Sequence, residues 1–157
     1  MSEIKMLKFD QVGIVVKDIE KAAKIFGDLL NFKGKVNIVE QSSDINYKGQ
    51  DGTVRMKKIM QNWGDKQLEI VEVVDATGPN VYSDAVKAGR FGLHHLGTYV
   101  DNADELVKHF KDNYDLNVIQ SGKAGPVNFY YLDTEQTLGF ILELINIKKT
   151  RREKKHE

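Results

Sequence analysis

The chain has 157 residues, enough for one compact domain or for two half-size modules that share a core. Its 23 Lys and Arg residues balance 23 Asp and Glu residues, so no overall field favours nucleic acid or an anionic membrane. Cysteine is absent, which excludes disulfides, thiolate nucleophiles and thiolate metal ligands. No apolar run approaches the roughly 20 residues of a membrane-spanning helix, and the amino end lacks the apolar segment of a secretion signal. We therefore expect a cytoplasmic protein that binds neither nucleic acid nor membrane.

Two segments of the chain repeat one pattern at an offset of 84 residues. Gln11–Asp18 aligns with His95–Asn102, and each segment predicts a short strand followed by the start of a helix. The periodicity predicts helices over 19–30 and 103–113, with Asp18 and Asn102 as their N-caps. Alternating apolar residues predict three further strands in each half, over 36–39, 53–60 and 67–73, and over 116–119, 127–132 and 140–145.

This order of elements predicts an α+β fold built from two βαβββ modules. We expect the first module over 8–74, a linker with a short helix over 75–92 and the second module over 93–147. The final segment, 148–157, is rich in basic residues and is interpreted as a charged, frayed tail, with phosphate binding as the alternative.

Four polar side chains stand at matching places in the two modules. Alternation along a strand places Gln11 and His95 on the strand face that is turned away from the helices. Glu69 and Glu143 interrupt apolar strands in the same way near the end of each module. A lone Glu in a strand usually faces solvent and a lone His usually lies in a core, but the repetition favours a shared site. Amide oxygen, imidazole and two carboxylates suit a divalent metal such as Zn, Ni, Co or Mn, with positions open for substrate.

Other features are given structural interpretations. Alternation predicts that His94 points to the face opposite His95 and is structural. The segment Lys123–Pro126 is interpreted as a hairpin turn, with a loop that closes over a ligand as the alternative.

The chain resembles the vicinal oxygen chelate superfamily, which includes glyoxalase I, methylmalonyl-CoA epimerase, extradiol dioxygenases and bleomycin-resistance proteins. The resemblance spans about residues 8–147 and is carried by Asp10–Val16, Gly92–Gly97 and Gly139–Leu144. It implies an incomplete, barrel-like curved sheet around a metal site with helices outside. It also implies that Gln11, Glu69, His95 and Glu143 are the metal ligands.

The branch within this superfamily is left open by the resemblance. The set Gln, Glu, His, Glu is similar to that of animal-type glyoxalase I, whereas methylmalonyl-CoA epimerases usually carry His at the position of Gln11. The second catalytic carboxylate of the epimerase is also missing from Arg55–Lys58. The chain length and the helical linker nevertheless resemble the epimerase.

The chemistry that follows is removal of a proton next to a carbonyl, with formation of an enediolate. Glu143 is the first candidate for the base and Glu69 the second. We expect a glyoxalase I-type lyase or isomerase that acts on a hemithioacetal. A methylmalonyl-CoA epimerase-like enzyme that acts on an acyl-CoA thioester and a metal-free ligand-binding or drug-resistance protein are the alternatives. Open sheet edges on each module predict a homodimer, and spacing alone does not decide whether one chain or two would build the site.

Overall fold

A computed structural model describes residues 4–29 and 36–147. The predicted end of the first helix at Leu30 and the charged tail at 148–157 lie outside these residues. The described elements, in chain order, are β1 (Gln11–Val15), α1 (Ile19–Leu29), β2 (Val39–Tyr47), β3 (Gln50–Trp63), β4 (Lys66–Thr77), α2 (Val81–Lys87), β5 (Gly92–Val100), α3 (Ala103–Tyr114), β6 (Val118–Ala124), β7 (Val127–Leu132), α4 (Glu135–Leu138) and β8 (Ile141–Ile147). None of the helices within these residues has the length and apolar character needed to cross a bilayer.

The eight strands form one closed barrel in the order β1-β4-β3-β2-β6-β7-β8-β5. Within each module the first and last strands are parallel neighbours, β1 with β4 and β5 with β8. The two modules join at two antiparallel seams, β1 with β5 and β2 with β6. The predicted α+β fold of two βαβββ modules is confirmed, and the sheet is closed where an incomplete barrel was expected.

Closure of the sheet removes one argument for a dimer. The open edges predicted on the two modules pair with each other within this chain, so every described strand has two neighbours. A sheet without edges offers no strand pairing to a second copy. The homodimer stays a prediction, and any such contact would use side chains on the surface.

Helices α1 and α3 cover the outside of the barrel with the faces that their periodicity predicts. Ile19 and Leu106 are fully buried in separate apolar clusters between helix and sheet. Asp18 caps α1 by accepting a hydrogen bond from the Lys21 amide at 3.0 Å. Asn102 is the N-cap residue of α3 as predicted, but its side chain makes no capping hydrogen bond, and the Ala103 amide donates to Asn146 Oδ1 in β8.

Two strands differ strongly from the prediction. Strand β2 was expected over 36–39 and lies at Val39–Tyr47, whereas β6 was expected over 116–119 and lies at Val118–Ala124. Both contain polar or small residues in place of the alternating β-branched pattern, so their own sequence favours a strand only weakly. They are strands because each pairs with a hairpin partner and with the other across the seam.

Helix α2 closes one end of the barrel. Asn80 begins this helix, and its side-chain oxygen accepts hydrogen bonds from the Tyr82 and Ser83 amides. Val81 and Tyr82 are buried and belong to the apolar cluster inside the barrel. The linker between the modules therefore supplies part of the interior wall.

Candidate active site

The structure brings the four polar residues of the repeat together inside the barrel. Gln11 lies on β1, Glu69 on β4, His95 on β5 and Glu143 on β8, which are four consecutive strands of the sheet. Their exposed fractions are 3%, 5%, 0% and 5%. One chain supplies all four side chains, two from each module.

The imidazole of His95 is the centre of this group. Its Nε2 atom lies 3.2 Å from Gln11 Oε1, 3.2 Å from Glu143 Oε2 and 3.9 Å from Glu69 Oε1. The ring crosses the backbone of β1 so closely that a Cβ atom on Gly13 would lie 2.0 Å from His95 Cε1. A glycine at position 13 is therefore required for the imidazole to reach the barrel axis.

His94 lies next to His95 and not on the opposite face, so the alternation argument is wrong at this residue. Gly13 pairs with His95 and Ile14 pairs with Leu93, which makes His94 the extra residue of a β-bulge. Its ring stacks on Tyr82, its Nε2 lies 3.2 Å from the Val81 carbonyl, and its Nδ1 lies 2.9 Å from His95 Nδ1.

These contacts fix the tautomers of both imidazoles. Burial lowers the pKa of His94 and of His95 to about 3, so both rings are neutral at pH 7. A carbonyl oxygen only accepts, so His94 Nε2 carries its proton and His94 Nδ1 is an acceptor. His95 Nδ1 therefore donates to His94, which leaves a lone pair on His95 Nε2.

The Gln11 and His95 atoms that face each other at the centre are consequently both electron-pair donors. Gln11 Nε2 donates to Gln67 Oε1 at 2.9 Å, so the oxygen of the Gln11 amide points toward His95. Tyr99 donates to the same Gln67 oxygen at 2.6 Å and fixes its orientation. Lone pairs on the Gln11 oxygen and on His95 Nε2 lie 3.2 Å apart, an arrangement that is repulsive unless a cation or a proton lies between them.

Glu143 has an unusual environment for a carboxyl group. Burial, together with the nearby charge of Glu69, raises its pKa to about 8. Glu143 Oε2 is buried and has no hydrogen-bond partner among the described residues, because its 3.2 Å approach to His95 lacks hydrogen-bond geometry. Without an ion this carboxyl is mostly protonated at pH 7, and a cation bound beside it would favour the carboxylate.

The donor types suit a divalent metal ion, and the ligand atoms of Glu69, His95 and Glu143, which do not all lie within 4.8 Å of one another, would have to close on it. Ligand atoms about 2.0–2.2 Å from an ion lie roughly 3 Å apart when adjacent and about 4.2 Å apart when opposite. The three distances from His95 Nε2 fall within this range. The N–H on the other ring nitrogen of His95, Nδ1, donates a hydrogen bond to His94 Nδ1, and metal-ligating histidines usually make such a bond.

A second group of carboxylates lies outside the barrel and already has partners. Asp18, Glu20 and Glu72 place carboxylate oxygens within 4.8 Å of one another at the start of α1. Glu72 accepts from the Ile19 amide, Asp18 accepts from the Lys21 amide, and Glu20 pairs with Lys57. These contacts make the group part of the helix N-terminus.

The polar cluster opens into a cavity of about 230 Å³. The described side chains that line it include the partly exposed Met60, Tyr99 and Ile147, which mark its mouth, and the buried Tyr82 at the other end. Most of the remaining wall is apolar and comprises Ile45, Val54, Met56, Ala124, Val127, Phe129 and Ile145. This volume lies below the roughly 300–1,000 Å³ of most ligand pockets, so we expect only the small reacting part of a substrate to fit inside.

The sequence did not single out several residues of this cavity. Lys58 on β3 places its Nζ atom 3.6 Å from Glu69 Oε1, and its side chain is only 12% exposed. Gln120 on β6 is 1% exposed and lines the wall made by the seam strands. Tyr131 faces the cavity, and its hydroxyl bonds to that of Tyr82. The segment Lys123–Pro126 is a hairpin turn between β6 and β7, as expected.

Comparison with known proteins places this geometry in a family. The pattern described as Glyoxalase/Bleomycin resistance protein/Dioxygenase superfamily matches residues 10–131, which is most of the chain. The chain belongs to this superfamily. A search of the curated proteins finds no match for this chain.

Solved structures share the fold at low sequence identity. A hypothetical protein from Bacillus halodurans C-125 superposes with a TM-score of 0.66 and 17% identity, over 93% of this chain and 98% of that one. Methylmalonyl-CoA epimerase from Mycobacterium tuberculosis superposes with a TM-score of 0.63 and 15% identity, over 95% of this chain and 94% of that one. A variant of the Streptomyces coelicolor methylmalonyl-CoA epimerase, in complex with 2-nitronate-propionyl-CoA, superposes with a TM-score of 0.58 and 13% identity, over 93% of this chain and 100% of that one. The similarity extends over more than nine tenths of this glyoxalase-superfamily chain and concerns the fold.

Proposed function

We propose that the protein is a metal-dependent enzyme that removes a proton from a carbon next to a carbonyl group. The observation that supports this proposal best is the pair of buried carboxylates, Glu69 and Glu143, on either side of the His95 imidazole in an enclosed cavity. Gln11, Glu69, His95 and Glu143 would hold the ion, with Zn, Ni, Co or Mn as candidates. When bound, a divalent ion polarises a substrate carbonyl, acidifies the adjacent C–H and favours ionised carboxylates.

Glu143 is the proposed base in this reaction. Its carboxylate accepts the proton from carbon, and the apolar wall around it keeps bulk water away from the carbanion that results. Return of the proton by Glu143 to the neighbouring atom gives the 1,2-hydrogen shift of a glyoxalase I-type lyase. Delivery to the opposite face by Glu69 gives epimerisation.

The glyoxalase I-type reaction on a hemithioacetal is the first candidate because the side chains at the centre are Gln, Glu, His and Glu. A methylmalonyl-CoA epimerase-like reaction on an acyl-CoA thioester is the second candidate, and it is supported by the epimerase folds that superpose on this chain. The 230 Å³ cavity suits either substrate with its thiol carrier left outside the mouth.

The first test is elemental analysis of protein purified without chelator and then reconstituted with Zn2+. We expect about one equivalent of metal per chain, lost in Glu143→Ala. The matched control is Glu20→Ala, which removes a carboxylate from the group outside the barrel and should leave the metal content unchanged. Metal retained in Glu143→Ala but lost in Glu20→Ala would place the ion outside the barrel. No metal in the wild-type protein would favour a metal-free ligand-binding protein.

The second test measures proton abstraction itself. The hemithioacetal of methylglyoxal and glutathione, and methylmalonyl-CoA, are incubated with enzyme in D2O, and deuterium incorporation next to the carbonyl is followed by NMR. Glu143→Gln keeps an oxygen ligand but no base, so we expect metal to remain and exchange to fall by roughly a hundredfold or more. Unchanged exchange in Glu143→Gln would show that Glu143 is not the base.

A further inference from the structure

Lys58 is the single basic side chain among the described residues that line the cavity. It lies on β3 between Met56 and Met60, and its ammonium reaches Glu69 at 3.6 Å. The neighbouring Lys57 points to the outside of the barrel, where it pairs with Glu20. Lys58 is thus a mostly buried cation beside a group of metal-binding side chains.

The charges inside the cavity do not balance once a metal is bound. The two carboxylates, Glu69 and Glu143, neutralise a divalent ion, and His95 and Gln11 contribute no charge. The Lys58 ammonium then shares its carboxylate with the ion and has no anionic partner of its own among the described cavity residues. A buried cation of this kind is stabilised by an anionic ligand.

Gln120 provides an independent observation on the other wall of the cavity. The Val81 amide donates to Gln120 Oε1 at 2.9 Å, which orients the side-chain amide. Gln120 Nε2 is buried and has no hydrogen-bond partner among the described residues. A buried N–H group without an acceptor costs free energy, which an acceptor oxygen on a ligand would recover.

We infer that Lys58 and Gln120 are specificity-determining residues, Lys58 binding a carboxylate of the ligand and Gln120 donating to a separate acceptor oxygen, so that the cavity accepts a small acyl compound bearing a carboxylate. This inference rests on the proposed function, because the uncompensated charge arises when the ion is bound. Both residues line the same cavity, and its apolar side chains suit a short aliphatic segment of the ligand.

The test is calorimetric titration of the Zn2+-loaded protein with malonate and with its uncharged analogue, malonamide. Wild-type protein should bind malonate at least tenfold more tightly than malonamide. Lys58→Met should weaken malonate binding roughly tenfold or more, whereas the surface control Lys57→Met should bind as the wild type does. Gln120→Glu keeps an oxygen for the Val81 amide and replaces the donor by an acceptor, so it should weaken malonate binding to a similar extent.

A second readout does not depend on malonate. Competition with a chelating dye should show tighter Zn2+ binding in Lys58→Met, by on the order of tenfold, because a cation beside Glu69 has been removed. Circular dichroism and a check of metal content after each titration exclude unfolding and stripping of the ion by malonate.

The outcomes separate the two proposals. If wild-type protein takes up no Zn2+, the proposed function fails and the inference fails with it. If Zn2+ binds but Lys58→Met binds malonate as tightly as the wild type, or malonamide binds as well as malonate, the inference alone is overturned.

Discussion

The close approach of β1 to His95 makes Gly13→Ala a severe test of the site. The new Cβ atom would lie 2.0 Å from His95 Cε1 and 2.2 Å from Nε2, whereas carbon atoms in contact are normally about 3.5 Å apart. The ring or the strand must therefore move by about 1.5 Å. Tyr82, Tyr131 and His94 surround the imidazole with ring centroids at 6.0, 5.7 and 5.2 Å, so the ring has no free space to enter.

We expect Gly13→Ala to destabilise the fold by about 1–3 kcal/mol, which for a chain of this size lowers the melting temperature by roughly 2–12 °C. A shift of this size is also about half of the 3.2 Å between His95 and its neighbours, so Zn2+ uptake should be lost. The measurements are urea denaturation followed by circular dichroism, nitrogen-15 NMR of the imidazoles, and elemental analysis.

Gly27→Ala is the matched control for this substitution. Gly27 lies within helix α1, and a Cβ atom there would lie 3.8 Å from the Val36 side chain, which is an ordinary contact. Alanine there should stabilise the protein by about 0.5–1 kcal/mol and leave metal uptake unchanged. A Gly13→Ala protein that matched the wild type in stability, His95 resonances and metal content would refute the steric argument.

Two further predictions concern the buried histidines. His94→Phe keeps a ring against Tyr82 but removes the acceptor for His95 Nδ1. Nitrogen-15 NMR should therefore show a changed His95 tautomer, and Zn2+ affinity should fall roughly 10- to 100-fold. An unchanged tautomer would contradict the assignment. In the metal-free protein the pKa values of His94 and His95, lowered from 6.5 to about 3, contribute stability above pH 6.5 that is lost as the pH falls toward 3. The pKa of Glu143, raised from 4.5 to about 8, contributes stability below pH 4.5 that is lost as the pH rises through 8. The free energy of unfolding measured with urea should therefore be highest near pH 6.5 and should change by about 1.4 kcal/mol per pH unit for each proton that the two states bind differently. A flat profile between pH 5 and 8 would contradict these shifts.

The repeat in the sequence carried most of what could be predicted. Glycine at the same place in β1 and β5, with an apolar alternation around it, marked the two strands that bring Gln11 and His95 to one cavity. Polar residues in otherwise apolar strands marked Glu69 and Glu143. These signals are local, because each is a polar residue or a glycine within an apolar strand and is recognised without knowledge of the partner strand.

The wall opposite the cluster could not be predicted in the same way. Strand β2 turns Gln41, Ser43 and Ile45 toward the cavity, so polar residues occupy positions where a buried strand usually has apolar ones. Gln120 in β6 was not predicted as a cavity residue for the same reason, because it is a polar residue on the buried face of a strand. The orientation of His94 was not predicted because a bulge shifts the alternation by one residue. A bulge depends on the partner strand rather than on the residue itself.

Closure of the barrel within one polypeptide also affects how the site forms. At the seam opposite the cluster, Asp44–Tyr47 pair with Gln120–Lys123, which is a short stretch of sheet. Two separate chains joined by this seam and the short β1–β5 seam would dissociate at sufficient dilution, whereas the covalent linker holds the two modules at a high effective concentration. Assembly of the four central side chains is therefore a first-order process, and the fraction of molecules with a complete site does not depend on protein concentration.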